Sequence, residues 1–438
     1  MSEAAPQPIA STSLRTLSAS LATGVGAARA AILVIALHLV DDAFLQPEPG
    51  MSAGDHLATL VPLTLLVGVA AAYGRLRPGA RASWALVLGV FGIAAGVEAA
   101  YYTVNGGPSG DDFTGWLSLA AGLGLVALGA ATLWRTRRTD DRLWRRYGRR
   151  LLLTVAGLLV ASQIMFPVVI AQVVTHTLRA HVPTPDLGAA HEDVSFTTSD
   201  GLRLQGWFVP SRNGATVIVV PGRSGPQKQT RLLVRNGYGV LLFDRRGEGA
   251  SEGDPNMFGW GGERDLHAAA AYLQSRPDVD PARIGAIGLS VGGEMLIHAA
   301  AHSDAFKAVV SEGASGQSLR DELDNPGLSD RLLALPTQVS LTAALALFTD
   351  ESPPPSLESE VAKISPTPVL FVYGEKGQGG TEEGPNRGFY AAAREPKQIW
   401  EVPNGQHVAG ITTAPQEYER RVVGFLDDAL LTTEGDTE

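Results

Sequence analysis

The sequence contains no cysteine in 438 residues. That excludes disulfides, iron–sulfur clusters, thiolate zinc sites and a cysteine nucleophile. It leaves the redox compartment open, because an exported protein without cysteine needs no oxidation to fold. Lysine is scarce as well, five residues against 30 arginines, all five after residue 227; this reads as a compositional bias and not as a functional signal. Charge of either sign is thin in the first 180 residues, with 14 basic and 10 acidic side chains, whereas the rest carries 21 basic and 35 acidic. The chain therefore changes character near residue 180. An acidic second half argues against sequence-independent binding of nucleic acid, which depends on neutralising phosphates. The length suits two or three domains with ample material for a core.

What the first part has is long uncharged runs. Leu57–Gly74 is 18 residues without a charge, Ala82–Val97 is 16, Phe113–Trp134 is 22 and Leu151–Leu178 is 28. Such runs, at about 18 residues or more, are long enough for a helix to cross a hydrocarbon core of ~30 Å. Ala27–Val40, ahead of these, is a weaker first segment, interrupted by Arg29. Gly, Ala and Leu dominate, as expected where helices pack closely in lipid. An all-α transmembrane bundle of four to five helices over residues 1–178 is therefore expected, with the lipid bilayer as a partner. Arg75, Arg77 and Arg81 fall between the second and third segments, and eight arginines from Arg135 to Arg150 between the fourth and fifth. Short arginine-rich loops stay cytoplasmic. The expected localisation is the plasma membrane, with everything after ~180 on the extracytoplasmic side. His38, Asp41, Asp42, His56 and Glu98 stand out among the apolar runs, mostly at segment ends, and their spacing makes no metal motif.

After a linker at 179–190, residues 191–431 alternate short apolar strands with amphipathic helices. Strands are expected at Val194–Thr197, Leu202–Val209, Thr216–Pro221, Gly239–Asp244, Ile284–Leu289, Lys307–Ser311, Val369–Tyr373 and Gln398–Val402. Helices are expected at Glu263–Gln274, Gly292–Ala301, Asn386–Arg394 and Gln416–Leu431. This pattern implies a doubly wound, mostly parallel α/β sheet covered on both faces. Residues 432–438 form a polar tail.

The chemistry centres on Gly288-Leu289-Ser290-Val291-Gly292, a G-x-S-x-G between an apolar strand and a helical stretch. A sharp strand-to-helix turn lifts the serine hydroxyl out of the sheet, and small residues are needed at 288 and 292 where backbones approach. The Val291 N–H then sits at a helix N-terminus, ready to donate to an oxyanion. His407, in a Gly-rich loop past the last strand, is the candidate base, since a serine nucleophile needs one.

On these motifs residues 190–430 resemble the α/β-hydrolase superfamily. Asp244-Arg245-Arg246-Gly247-Glu248-Gly249-Ala250-Ser251 resembles the family's D-x-R-G-x-G-x-S loop, and Pro221-Gly222-Arg223-Ser224-Gly225 stands where the family has His-Gly-x-x-Gly. By that analogy the Arg223 N–H is the second oxyanion donor. The Trp400–Pro403 strand resembles membrane-anchored or dipeptidase-like subgroups more than secreted lipases. The order Ser, acid, His also fits, but Gly377 stands where the family places its Asp. Glu383 is then the first candidate acid, with Glu382, Glu375 and Glu312 as alternatives; any carboxylate that orients the imidazole can serve.

The resemblance implies a membrane-anchored serine hydrolase acting on an ester, thioester or amide of a small-molecule or lipid acyl substrate, with no cofactor and no metal. An insertion at 314–365, containing the amphipathic stretch Leu332–Phe348, is expected to cover the site as a lid. The competing reading is a membrane sensor, channel or scaffold with an inactive hydrolase-like domain, which Gly377 favours. Oligomeric state, the acyl group and the leaving group are not written in the sequence.

Overall fold

A computed structural model of the chain describes residues 24–432, apart from 47–55, 107–111, 137–147, several positions between 150 and 184, 223–226, 256, 317–318, 320–327, 350, 378–379 and 381. It divides into two compact units, Met1–Pro47 with Ser52–Val173, and Glu48–Met51 with Val174–Glu438.

The first unit is helical. Helix α1 is Gly24–Val40 and runs on into a π-helical turn at Asp41–Leu45. Helices α2 (Leu60–Ala72), α3 (Pro78–Gly106), α4 (Asp112–Arg135) and α5 (Phe166–Gln172) follow. Ala28, Ile32, Ile35, Ala36 and Leu39 recur at helical spacing on α1 and are buried against the neighbouring helices. Leu33, Leu37, Leu65, Val90, Leu117 and Leu123 face outward and are exposed, so the unit is apolar outside as well as inside. Among the described residues, four stretches are long and apolar enough to cross a membrane: Gly24–Leu45, Pro78–Val97, Phe113–Arg135 and Val155–Gln172. The weak first segment thus proves long, while Leu57–Gly74, expected as a full span, forms one of the shorter apolar helices, Leu60–Arg75. Arg29 Nε and Nη2 donate to the carbonyls of Ala70 and Ala71, 2.9 and 3.0 Å away, and so satisfy the open C-terminal end of α2. The charge that interrupts the run in sequence is a cap in three dimensions. Helices α3 and α4 meet at glycines: a Cβ on Gly96 would lie 2.6 Å from the Gly115 carbonyl, and one on Gly122 would lie 2.6 Å from the Gly89 carbonyl. Only glycine lets two helix backbones approach that closely.

The second unit is a single eight-stranded sheet in the order β1-β2-β4-β3-β5-β6-β7-β8. Its strands are β1 (Glu192–Thr197), β2 (Arg203–Val209), β3 (Thr216–Val220), β4 (Gly239–Phe243), β5 (Ile284–Leu289), β6 (Ala308–Glu312), β7 (Val369–Gly374) and β8 (Lys397–Val402). β1 and β2 form an antiparallel hairpin, β2 is antiparallel to β4, and the remaining pairs are parallel. Strands β3 to β7 are buried end to end, which is why they read as continuous apolar runs.

Alternate residues feed opposite faces. Ile218 and Val220 join one core with helices α7 (Glu263–Ser275), α8 (Val291–Ala301), α10 (Leu357–Val361) and α11 (Glu383–Ala392). Val217 and Val219 join the other, with α6 (Gln227–Arg235) and the C-terminal helical segment from α13 (Pro415–Tyr418) through α14 (Gly424–Leu430). A short α12 (Gly410–Thr413) precedes that segment. The insertion before β7 forms the long helix α9, Leu328–Thr349. This is the α/β-hydrolase fold, preceded by an apolar helical bundle. Helix α6 and the short α10 are not anticipated by the apolar pattern of the sequence.

Candidate active site

Every candidate group comes from the carboxyl end of a parallel strand. In an open α/β sheet these ends converge on one edge, because all the parallel strands point the same way.

Ser290 follows β5 at the first bend before α8. Its φ and ψ are 54° and −124°, a left-handed conformation rare for a residue with a side chain. The neighbours impose it. Ser290 N–H donates to the Glu312 carbonyl at 2.8 Å, and Gly293 N–H donates to the Ser290 carbonyl at 2.8 Å, starting the helix at once. A Cβ on Gly288 would collide with the Gly292 carbonyl, and one on Gly292 would lie 2.6 Å from the Val220 carbonyl. Both obstacles are backbone and cannot give way, so the two glycines of the motif are steric requirements. Val291 is the first residue of α8 and is buried, with its N–H at the helix N-terminus beside the serine. Arg223, the other expected oxyanion donor, lies outside the described residues.

His407 arrives from the loop after β8. Its Nε2 is 2.9 Å from Ser290 Oγ. Gly313, at φ 73°, makes room for the ring: a Cβ there would come within 3.3 Å of His407 Nδ1. His407 Nδ1 is hydrogen-bonded to Glu382 Oε1. Glu382 is fully buried, its other oxygen accepts from Gly374 N–H at 3.1 Å, and its backbone carbonyl accepts from Asn386 Nδ2 at 2.9 Å. Serine, imidazole and carboxylate thus form one hydrogen-bonded chain.

The first-choice acid, Glu383, requires correction. It is half-exposed in the first turn of α11 and pairs with Arg387 at 2.9 Å, away from the imidazole. Its neighbour Glu382 precedes the helix and points inward instead. The reason lies at Gly377. A Cβ on Gly377 would fall inside the Glu382 carboxylate. The space a side chain at 377 would fill is taken by the acid that reaches back from 382. The glycine that favoured an inactive domain is what admits the carboxylate.

Glu375 and Glu312 have partners of their own. Glu375 accepts from Asn404 N–H at 2.6 Å on the surface. Glu312 is fully buried at the end of β6; its carboxylate accepts from Tyr418 Oη at 2.6 Å and from Gly410 N–H at 3.1 Å. Burial pushes the Glu312 carboxyl above the usual range, against the hydrogen bonds from Tyr418, Gly410 and Gln229. With its backbone on Ser290 and its side chain on the loop just past His407, Glu312 ties the Ser290 turn to the His407 loop.

The D-R-R-G-E-G-A-S loop is scaffold. Asp244 Oδ2 accepts from Ala250 N–H at 3.2 Å, and buried Arg245 pairs with Glu248. Burial works against the charge of Arg246, and the Asp265 and Asp200 carboxylates more than offset it. Arg246 fastens the loop to α7 through Asp265 at 2.7 Å.

Beside α8 lies a cavity of about 410 Å³, with Phe258, Trp260, Met295 and Leu357 among its apolar walls and Glu294 and His298 among its polar ones. A Cβ on Gly259, part of the wall, would lie 2.8 Å from the side chain of Val291, next to the nucleophile. Burial lowers the His298 pKa, so its imidazole tends to the neutral form. No cluster of metal-ligating side chains occurs among the described residues.

Comparison with known proteins adds family context. The profile of the X-Pro dipeptidyl-peptidase family (S15) matches residues 165–367, a span that includes Ser290 and stops short of Glu382 and His407. The uncharacterized protein YfhR of Escherichia coli O157:H7 is 31% identical over 257 residues, covering 56% of this chain and 84% of the relative. The alpha/beta hydrolase domain-containing protein WAV2 of Arabidopsis thaliana is 28% identical over 293 residues, 63% of this chain and 91% of the relative. Among solved structures, the Pyrococcus furiosus esterase Pf2001 aligns over 57% of this chain and 97% of its own, with 22% identity and a TM-score of 0.47.

Proposed function

We propose that this chain, which has the α/β-hydrolase fold, is a membrane-anchored serine hydrolase, cleaving a carboxylic ester, thioester or amide through an acyl-enzyme on Ser290. The observation that carries this reading is the hydrogen-bonded chain from Ser290 through His407 to Glu382. Ser290 Oγ attacks the substrate carbonyl while His407 Nε2 takes its proton. Glu382 holds Nδ1–H toward itself, which fixes the tautomer and stabilises the imidazolium. The Val291 N–H donates to the developing oxyanion, with the Arg223 N–H as second donor by family analogy. His407 then protonates the leaving group, the acyl–Ser290 bond forms as the original bond breaks, and water activated by the same imidazole releases the acid.

The membrane part of the proposal rests on the apolar outer surface of the helical unit and its four stretches of spanning length. The arginine-rich loops at 75–81 and 135–150 support a cytoplasmic side for those loops and an outer side for the hydrolase unit.

Fluorophosphonate labelling of the detergent-solubilised chain tests the chemistry. Wild type should label and Ser290→Ala should not. A folded wild type that fails to label overturns the proposal and moves attention to the helical bundle as sensor, channel or scaffold. The absence of cysteine makes topology equally direct. Asp304 is exposed, and an Asp304→Cys chain should react with an impermeant maleimide on intact cells. Reaction only after lysis places the hydrolase unit inside.

A further inference from the structure

We propose that Glu312 is a positioning residue for the general base: its carboxylate anchors the His407 loop against backbone strain at Val408. Glu312 then serves the serine-hydrolase chemistry proposed above, on which this role rests, without touching the reacting atoms.

The strain lies beside His407. Ala409 N–H donates to the Gln406 carbonyl at 3.1 Å, which closes a four-residue turn with His407 and Val408 at its centre. Val408, the third residue of that turn, has a φ of 52°. Turns with a positive φ at the third position are normally built with Gly or Asn. A β-branched residue there is an outlier, because its Cβ crowds the backbone. Left to itself, the Val408 backbone would relax toward negative φ, and the adjacent His407 would swing with it.

Anchors on both sides oppose that relaxation. Upstream, Lys376 N–H donates to the Gly405 carbonyl at 2.8 Å, and Gly405 N–H donates to the Val402 carbonyl at 2.9 Å. These bonds are backbone to backbone and continue the edge made by β7 and β8. Downstream, Gly410 N–H donates to Glu312 Oε1 at 3.1 Å. This anchor is a side chain, and it is itself held. Glu312 is fully buried at the end of β6, and its other oxygen accepts from the buried Tyr418 Oη at 2.6 Å.

The loop fits this anchor closely. A Cβ on Gly410 would lie 3.0 Å from Glu312 Oε1 and 2.9 Å from the Tyr418 ring. A Cβ on Gly313, the residue after Glu312, would lie 3.1 Å from Val408 Cγ2 and 3.2 Å from His407 Cε1. The backbone carbonyl of Glu312 meanwhile accepts from Ser290 N–H at 2.8 Å. Glu382 therefore orients the ring of His407, and Glu312 holds its backbone in register with the Ser290 turn.

The test uses the full chain in lipid nanodiscs and two readouts. One is the saturating rate of Ser290 labelling by a fluorophosphonate, with the concentration that gives half that rate. The other is the His407 Nδ1–H proton resonance in ¹⁵N-histidine-labelled chain, identified by its loss in His407→Gln. Glu312→Ala should lower the saturating rate about 10²-fold and leave the half-saturating concentration within about twofold. It should also shift the His407 resonance. Glu312→Gln keeps an acceptor for Gly410 N–H and should recover both. Adding Val408→Gly to Glu312→Ala removes the strain, since glycine takes positive φ freely. That double variant should label at least about threefold faster than Glu312→Ala alone. A folded Glu312→Ala with wild-type labelling and resonance overturns the proposal, as does a double variant no faster than Glu312→Ala. Circular dichroism and monodisperse elution check folding. If Glu312→Ala does not fold, Tyr418→Phe decides: it should slow labelling about threefold and shift the His407 resonance, and no change in either overturns the proposal. A wild type that does not label sinks the hydrolase reading, and the His407 resonance in Glu312→Ala and Glu312→Gln then decides the positioning role by itself.

Discussion

The two units hold the same three functional groups in different order. In the hydrolase unit the imidazole is central, with Glu382 on Nδ1 and Ser290 on Nε2. In the helical unit the hydroxyl is central, with His38 on one side and Asp41 on the other, and the far nitrogen of His38 is fixed on the Ala95 carbonyl. Order decides chemistry. An imidazole between carboxylate and hydroxyl keeps its hydrogen toward the acid and turns a basic lone pair to the hydroxyl, which makes a nucleophile. A hydroxyl between imidazole and carboxylate ties α4 to the end of α1. The units also use glycine differently. Every positive-φ glycine among the described residues lies in the second unit, at turns. In the bundle, Gly89, Gly96 and Gly122 are helical and serve close approach between backbones.

The largest effect should come from breaking the imidazole-centred chain. Ser290→Ala or His407→Ala should each lower kcat by a factor on the order of 10⁶, measured on whichever ester turns over after labelling. Glu382→Gln should cost about 10⁴ in kcat, while Glu383→Gln should stay within about twofold, since only the first touches the imidazole. The same comparison sharpens at 377. Gly377→Asp alone should be nearly inactive, because two side chains claim one space, and Gly377→Asp combined with Glu382→Gly should recover activity above either single change.

A smaller effect is expected in the bundle. Gly96→Leu overpacks the α3–α4 contact, at a cost of about 1–3 kcal/mol. Size-exclusion profiles should broaden while fluorophosphonate labelling of Ser290 persists. The smallest is a pH effect. Burial raises the Glu312 pKa in the folded state, so its stabilising contribution is fully present below the ordinary carboxylate range. It is lost as pH rises through the raised value. Thermal inactivation followed across pH should therefore show a shallower fall toward high pH in Glu312→Gln than in wild type.

Strands β3 to β7 are legible in the sequence because buried parallel strands are apolar along their whole length. Ser290 is legible because the turn that presents it needs small residues at fixed short spacing. Glu382 and Thr114 are not. Glu382 and Glu383 are adjacent and chemically identical, and which one turns inward depends on the empty side-chain position at Gly377. Thr114 carries no charge, and its partners lie 73 and 76 residues away in the chain. Arg29 misleads in the same way: it reads as an interruption until the end of α2 is seen beside it.

By itself the sequence determined the division into an apolar helical part and an α/β part, the strand positions, and Ser290 and His407 as candidate nucleophile and base. These depend on local period, composition and short spacing, which a chain carries whatever its neighbours. Only the tertiary structure decided which carboxylate meets His407, that Arg29 caps α2, and that His38, Thr114 and Asp41 form one chain. Those outcomes depend on which distant side chain occupies a given few cubic ångströms, and occupancy of space is a property of packing.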